Sequence, residues 1–82
     1  MYFLVFTQQF DKSFSKVKDI KLRKQIWKKI KELEIKAPLG KKLKANPFWS
    51  VHIQKYRLIY GIKDNKITIA DILQRKHDYR EI

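Results

Sequence analysis

Five side chains in the second half of an 82-residue chain have the types needed to act on a phosphodiester. Arg57 sits in a run of alternating residues, His52 lies just upstream of it, and Arg75, His77 and Tyr79 crowd together near the end. Two guanidiniums can bracket one phosphate, because the planar fork pairs with two oxygens and stays charged as phosphorus gains a fifth ligand. An imidazole or a phenol beside them can move the proton that such a displacement requires. Each residue also has a plainer reading. Arg57 fits an exposed strand position, Arg75 a counter-charge to Asp78 or Asp71, and Tyr79 a packing aromatic. His52 and His77 have no obvious third ligand beside them, so a metal centre is not expected. Glycine-rich phosphate loops, paired carboxylates and nucleophile elbows are not visible, and no cofactor is expected.

The elements that must position these groups begin at Phe48. A two-residue turn at Lys55 and Tyr56 would set Gln54 opposite Arg57, Ile53 opposite Leu58, Val51 opposite Tyr60 and Trp49 opposite Ile62. Trp49, Val51, Ile53, Leu58, Tyr60 and Ile62 then share a core face. Ser50, His52, Gln54, Arg57 and Gly61 share the other, with Ile59 out of character there. Asp64 and Asn65 tolerate positive φ and make the next turn, which pairs Ile62 with Ile67 and Tyr60 with Ile69. Continued without a break, that register carries Asp71 onto the apolar face. Either a bulge after Ala70 shifts the strand or Asp71 is buried against a basic partner.

Upstream, Tyr2 to Phe6 has no polar position and reads as a strand covered on both faces or lying between neighbours. Thr7 is suited to cap a helix whose apolar stripe runs Phe10, Phe14, Val17 and Ile20. Asp19 is suited to cap a second, with Leu22, Ile26, Ile30 and Leu33 inward. Its outward side carries Lys24, Lys28, Lys29 and Lys31 among other cations. Such a run is either a solvated helix face or a track for a polyanion. Ala37-Pro38-Leu39-Gly40 ends the helix, and Lys41, Lys42 and Lys44 form a basic, irregular loop. Lys55 adds a further cation at the hairpin turn. The order β-α-α-β-β-β predicts a single α+β domain over residues 1–82, its mostly antiparallel sheet covered on one face by two N-terminal helices.

Composition agrees with one small, charged domain. The net charge of +12 makes polyanions or acidic proteins the expected partners, although a lysine-coated surface also serves solubility. Apolar residues make up 44% of the chain, enough for a core, and cysteine is absent, which excludes a disulfide scaffold. The opening MYFLVF is too short to cross a bilayer, so a soluble cytoplasmic protein without membrane association is expected.

With KKLKANPFWSVHIQKYRLIYGI in the middle and ILQRKHDY near the end, the chain resembles the RelE/ParE superfamily of type II toxins. Tyr56-Arg57-Leu58-Ile59-Tyr60 is similar to that family's YRLVY strand, and Arg75 with a tyrosine a few residues on matches its end of sheet. The resemblance implies a metal-independent mRNA endonuclease that acts in the ribosomal A site and is silenced by a cognate antitoxin, the two forming a hetero-oligomer. It gives Arg57 and Arg75 the transition-state charge, and Tyr79, with His77, the 2′-hydroxyl. Well-known RelE members carry lysines on the strand where this chain has Ser50 and His52. The resemblance therefore leaves the general base and the leaving-group acid unassigned, with Lys42, Lys44 or Lys55 as candidates for the missing charge. A gyrase-poisoning toxin and a noncatalytic RNA-binding member stay open as alternatives.

Overall fold

The computed structural model describes residues 2–44 and 46–74. They form β1 (Phe3–Phe6), α1 (Gln8–Ser15), α2 (Ile20–Lys36), β2 (Lys41–Lys42), β3 (Phe48–Ile53), β4 (Tyr56–Lys63) and β5 (Lys66–Gln74). The five strands make one sheet in the order β1-β5-β4-β3-β2. β1 runs parallel to β5 and the other neighbours pair antiparallel. The expected α+β class and helix pair are what the chain adopts, with one strand more than the sequence suggested.

Local chemistry sets both helix starts. The Thr7 hydroxyl accepts the Phe10 N–H at 3.1 Å and donates to the Ala70 carbonyl at 2.8 Å, so one side chain caps α1 and fastens it to β5. Asp19 accepts the Leu22 N–H at 3.2 Å and starts α2. Phe10, Phe14, Val17, Ile26, Ile30 and Leu33 from the helical half pack against Val51, Ile53, Leu58, Tyr60, Ile67, Ile69 and Ile72 from one side of the sheet. Each buried aliphatic contributes about 1.5–3 kcal/mol of transfer free energy. Arg23 closes the α1–α2 corner, its guanidinium donating to the Val17 carbonyl at 3.1 Å and lying 4.4 Å from the centre of the Phe14 ring.

Tyr60 fastens the end of the helical half to the sheet. Its ring is fully buried, its hydroxyl accepts the Leu39 N–H at 2.8 Å, and its O–H donates to the Leu39 carbonyl. Burial raises the Tyr60 pKa above the ordinary phenol value, partly offset by its hydrogen bonding with the Leu39 backbone.

Four sequence expectations are corrected. β1 is an edge strand, with Phe3, Val5 and Phe6 exposed, because both helices pack on the same side of the sheet as the core. Ile20 does not continue the α1 stripe: α1 ends at Ser15, and Ile20 opens α2 facing solvent. The first hairpin turns at Gln54 and Lys55, Gln54 taking φ +53°, so that Ile53 pairs with Tyr56 on the core side. That shift of two residues keeps every side chain on its expected face. Finally, Lys41 and Lys42 are not irregular; they pair with Ser50 and Trp49 as β2. Gly40 makes this possible, since at φ +86° a Cβ there would lie 2.1 Å from the Ser50 carbonyl oxygen.

The conflict at Asp71 is resolved by a bulge. Tyr60 faces Ile69 but Ile59 faces Asp71, which leaves Ala70 as the extra residue. Ile72 thereby returns to the core opposite Leu58, and Asp71 moves to the open face, its carboxylate accepting the Ile72 N–H at 2.8 Å.

Candidate functional site

The corrected hairpin register places His52 directly across from Arg57, on the side of the sheet away from the helices. β2 extends the same logic by one strand. Lys41 is the partner of Ser50, Ser50 is two residues from His52 on β3, and cross-strand partners point the same way. Lys41, Ser50, His52 and Arg57, with Gly40 and Leu43, line one open cleft of about 300 Å³. Three cationic or protonatable groups of different reach therefore look into one hollow. Ser50 is buried at 6% exposure, and among the described residues its hydroxyl has no hydrogen-bond partner.

A second hollow of about 370 Å³ lies on the other flank of His52, lined by Gln25, Lys28, Lys29 and Glu32 of α2 with Ile53 and Gln54. The Gln54 amide donates to the Gln25 side-chain oxygen at 2.7 Å, tying the hairpin tip to the helix. Lys29 pairs with Glu32 at 3.1 Å, and that hydrogen bond holds the Glu32 carboxyl below the usual carboxylate range. His52 is thus shared between the cleft and the basic flank of α2.

Of the residues singled out by sequence, Arg57, His52 and Lys41 are brought together. Lys28 and Lys29 border the second hollow, Lys24 and Lys31 are exposed on α2 and line neither, and Lys55 lies at the hairpin tip. Lys42 pairs with Trp49, so it points to the opposite side from Arg57 and cannot replace the missing charge in the cleft; Lys44 is exposed beyond β2. Arg75, His77 and Tyr79 lie outside the described residues. Their point of departure is fixed by the chain, because Gln74 pairs with Tyr56, the neighbour of Arg57. Sequence puts Ser50 on the face of His52 and Arg57 and Lys41 among the loop cations expected to contact RNA or the ribosome; the pairing of β2 with β3 that carries Lys41 into the cleft is what it does not show.

Among the described residues no three His, Asp or Glu side chains gather to hold a metal, and no helix is long and apolar enough to cross a membrane. What the cleft can do is bind an anion through a fork, an ammonium and a hydroxyl, with an imidazole at its border.

Among curated proteins no sequence match is found. Solved structures give close matches in fold. A chain of the intact E. coli RelBE toxin-antitoxin complex superimposes with a TM-score of 0.80 at 24% identity, covering 90% of this chain and 96% of that one. The chromosomal ParDE toxin-antitoxin system of P. aeruginosa gives 0.78 at 16% identity, with 90% and 96% covered. The YoeB dimer of Staphylococcus aureus gives 0.72 at 27% identity, with 88% and 94% covered. Residues 4–79 match the family described as the ParE toxin of type II toxin-antitoxin systems, parDE. A match over nearly the whole length, on a fold shared with the RelBE and ParDE systems and the YoeB dimer, establishes that the chain belongs to the ParE toxin family within the RelE/ParE superfamily of type II toxins.

Proposed function

We propose that this toxin is a metal-independent endoribonuclease that cuts mRNA on the ribosome. The observation that carries the reading is the cleft in which Arg57, His52 and Lys41 meet beside the strand end from which Arg75, His77 and Tyr79 follow. In the reaction the 2′-oxygen attacks the adjacent phosphorus and the bond from phosphorus to the 5′-oxygen breaks. A 2′,3′-cyclic phosphate and a 5′-hydroxyl result. The proton leaves the 2′-hydroxyl and another reaches the 5′-oxygen, so one basic and one acidic group are required. Arg57 and Arg75 offset the charge that builds on the phosphoryl oxygens. Tyr79, with His77, orients or deprotonates the 2′-hydroxyl, and the His52 imidazole is a further group that can carry a proton.

The cleft is open and shallow, so the message must be held by something larger. The ribosome, engaged by the Lys24, Lys28, Lys29 and Lys31 face and by Lys44 and Lys55, would do this through its phosphates. Purified protein should barely cut free RNA and should cut the same message once it is bound in a programmed ribosome. Equal rates on the two substrates would contradict the proposal.

Its partner in the cell is a cognate acidic antitoxin, with the pair assembled in the cytoplasm. The net charge of +12, exposed Phe3, Ile20, Trp27 and Ile35, and relatives solved as toxin-antitoxin complexes support this. Inhibition of gyrase without cleavage is the second reading. It is favoured by the match to the ParE family and by Ser50 and His52 on the strand where RelE toxins carry lysines. Mapping mRNA ends after induction, beside a gyrase cleavage assay, separates the two.

A further inference from the structure

Among the described residues, the cleft contains a buried hydroxyl with no hydrogen-bond partner, directly across a strand pair from a lysine. Ser50 is 6% exposed and its Oγ has no partner among the described residues, an arrangement that folded proteins avoid unless a ligand completes it. Lys41 is the cross-strand partner of Ser50, and both line the hollow that Arg57 and His52 border. From these observations we infer that Lys41 and Ser50 together form the second half of a phosphate-binding site. The Ser50 hydroxyl donates to the non-bridging oxygen that the Arg57 fork does not take, and the Lys41 ammonium supplies the charge that β3 itself lacks. This deepens the nuclease reading and rests on it for the identity of the phosphate as an RNA linkage.

The backbone explains why the lysine comes from β2. Gly40 at φ +86° lets the chain pass so close to Ser50 that no side chain fits between them. The next residue is thereby locked into the ladder with its side chain on the cleft face. A serine at position 50 is small enough to leave that space to the long arm of Lys41. Lys42, one residue on, points to the other face beside Trp49. The two adjacent lysines are equal in charge and opposite in direction, which supplies an internal control.

The test uses the full chain and two readouts. Titration with inorganic phosphate, followed through the backbone amides of Ser50, His52 and Arg57 by nuclear magnetic resonance, reports the site without any cleavage. Single-turnover cleavage on programmed ribosomes reports the reaction. Lys41→Ala should weaken phosphate binding about tenfold and slow cleavage by at least as much, Lys41→Arg should retain most of both, and Lys42→Ala should change neither. Ser50→Ala should weaken phosphate binding about threefold while its urea midpoint stays level or rises, because the buried hydroxyl it removes has no partner among the described residues. A structural serine would instead give a lower midpoint and unchanged binding. Wild-type behaviour of Lys41→Ala overturns the inference, as does an equal loss in Lys42→Ala, which would mean only a general field. Lys41-dependent phosphate binding in a wild-type protein that cuts no RNA upholds the site and refutes the nuclease reading. Failure of the wild type to bind phosphate at these amides overturns the site itself.

Discussion

The outer flank of α2 and the cleft on the open side of the sheet are both basic, yet they hold their charges in different ways. On α2, Lys24, Lys28 and Lys31 are exposed on successive turns, where salt screens each charge. In the cleft, groups from three strands are forced into one hollow by pairing register: Lys41 through Ser50, and His52 through Arg57. A helix face spreads charge along a line, and a sheet face focuses it on a point. The first suits adhesion to a polyanion whose phosphates also lie in a line. The second suits one phosphate whose charge changes during a reaction.

The largest break in this contrast should come from Arg57→Ala. Loss of one guanidinium from a focused site should lower single-turnover cleavage by roughly a hundredfold or more at saturating toxin, as for a lost oxyanion donor, with the circular-dichroism spectrum unchanged. Next comes Gly40→Ala. It puts a Cβ 2.1 Å from the Ser50 carbonyl oxygen at a φ that L-residues rarely adopt, so β2 must leave β3. Urea unfolding should show a loss of about 1–3 kcal/mol, and the variant should behave in cleavage like one that has lost Lys41.

Tyr60→Phe is a structural counterweight. It leaves the Leu39 N–H and carbonyl without their partner and should cost about 1–3 kcal/mol in urea while cleavage by the folded fraction is unchanged. The same residue gives a pH signature. Its pKa is raised in the folded protein, so the folded state holds the phenolic proton more tightly than the unfolded chain. That stabilisation is complete below the ordinary phenol value of about 10 and is lost as pH rises through the folded value. An alkaline fall in melting temperature that Tyr60→Phe abolishes is the expected result.

The smallest effects belong to the helix. Lys28→Ala should reduce the salt slope of ribosome binding by just under one unit, about 0.7–0.9, and leave the saturated rate alone. Lys29→Ala should do less, because Glu32 already engages that ammonium at 3.1 Å.

Much of this architecture could be read from the residues because the relevant signals are local. Thr7 and Asp19 are caps by side-chain chemistry alone, and the period-two alternation through Trp49, Val51 and Ile53 assigns faces whatever the turn does. The turn itself was misread by one residue because Gln54 enters the left-handed region, which its type does not advertise. β1 was misread because an unbroken apolar run looks the same whether a layer covers it or the strand lies at an edge. Lys41 reads from sequence as a loop cation and not as a cleft residue for a different reason. A two-residue strand has no periodicity, and its place depends on a close approach between Gly40 and Ser50 that only three dimensions reveal. The bulge at Ala70 was legible as an inconsistency, since a charged Asp71 on the core face required either a bulge or a buried basic partner.

The sharpest test of a focused cleft against a spread helix face is a pair of double-mutant cycles in single-turnover cleavage on programmed ribosomes. Groups that act on one phosphate depend on one another, whereas independent positioning charges combine multiplicatively. His52→Ala with Arg57→Ala should therefore slow the reaction at least tenfold less than the product of the two single effects. Lys24→Ala with Lys28→Ala should match its product in binding and leave the saturated rate at the wild-type value. Full multiplicativity for His52 and Arg57, or a wild-type rate in Arg57→Ala, would contradict the assignment of the cleft as the reacting site.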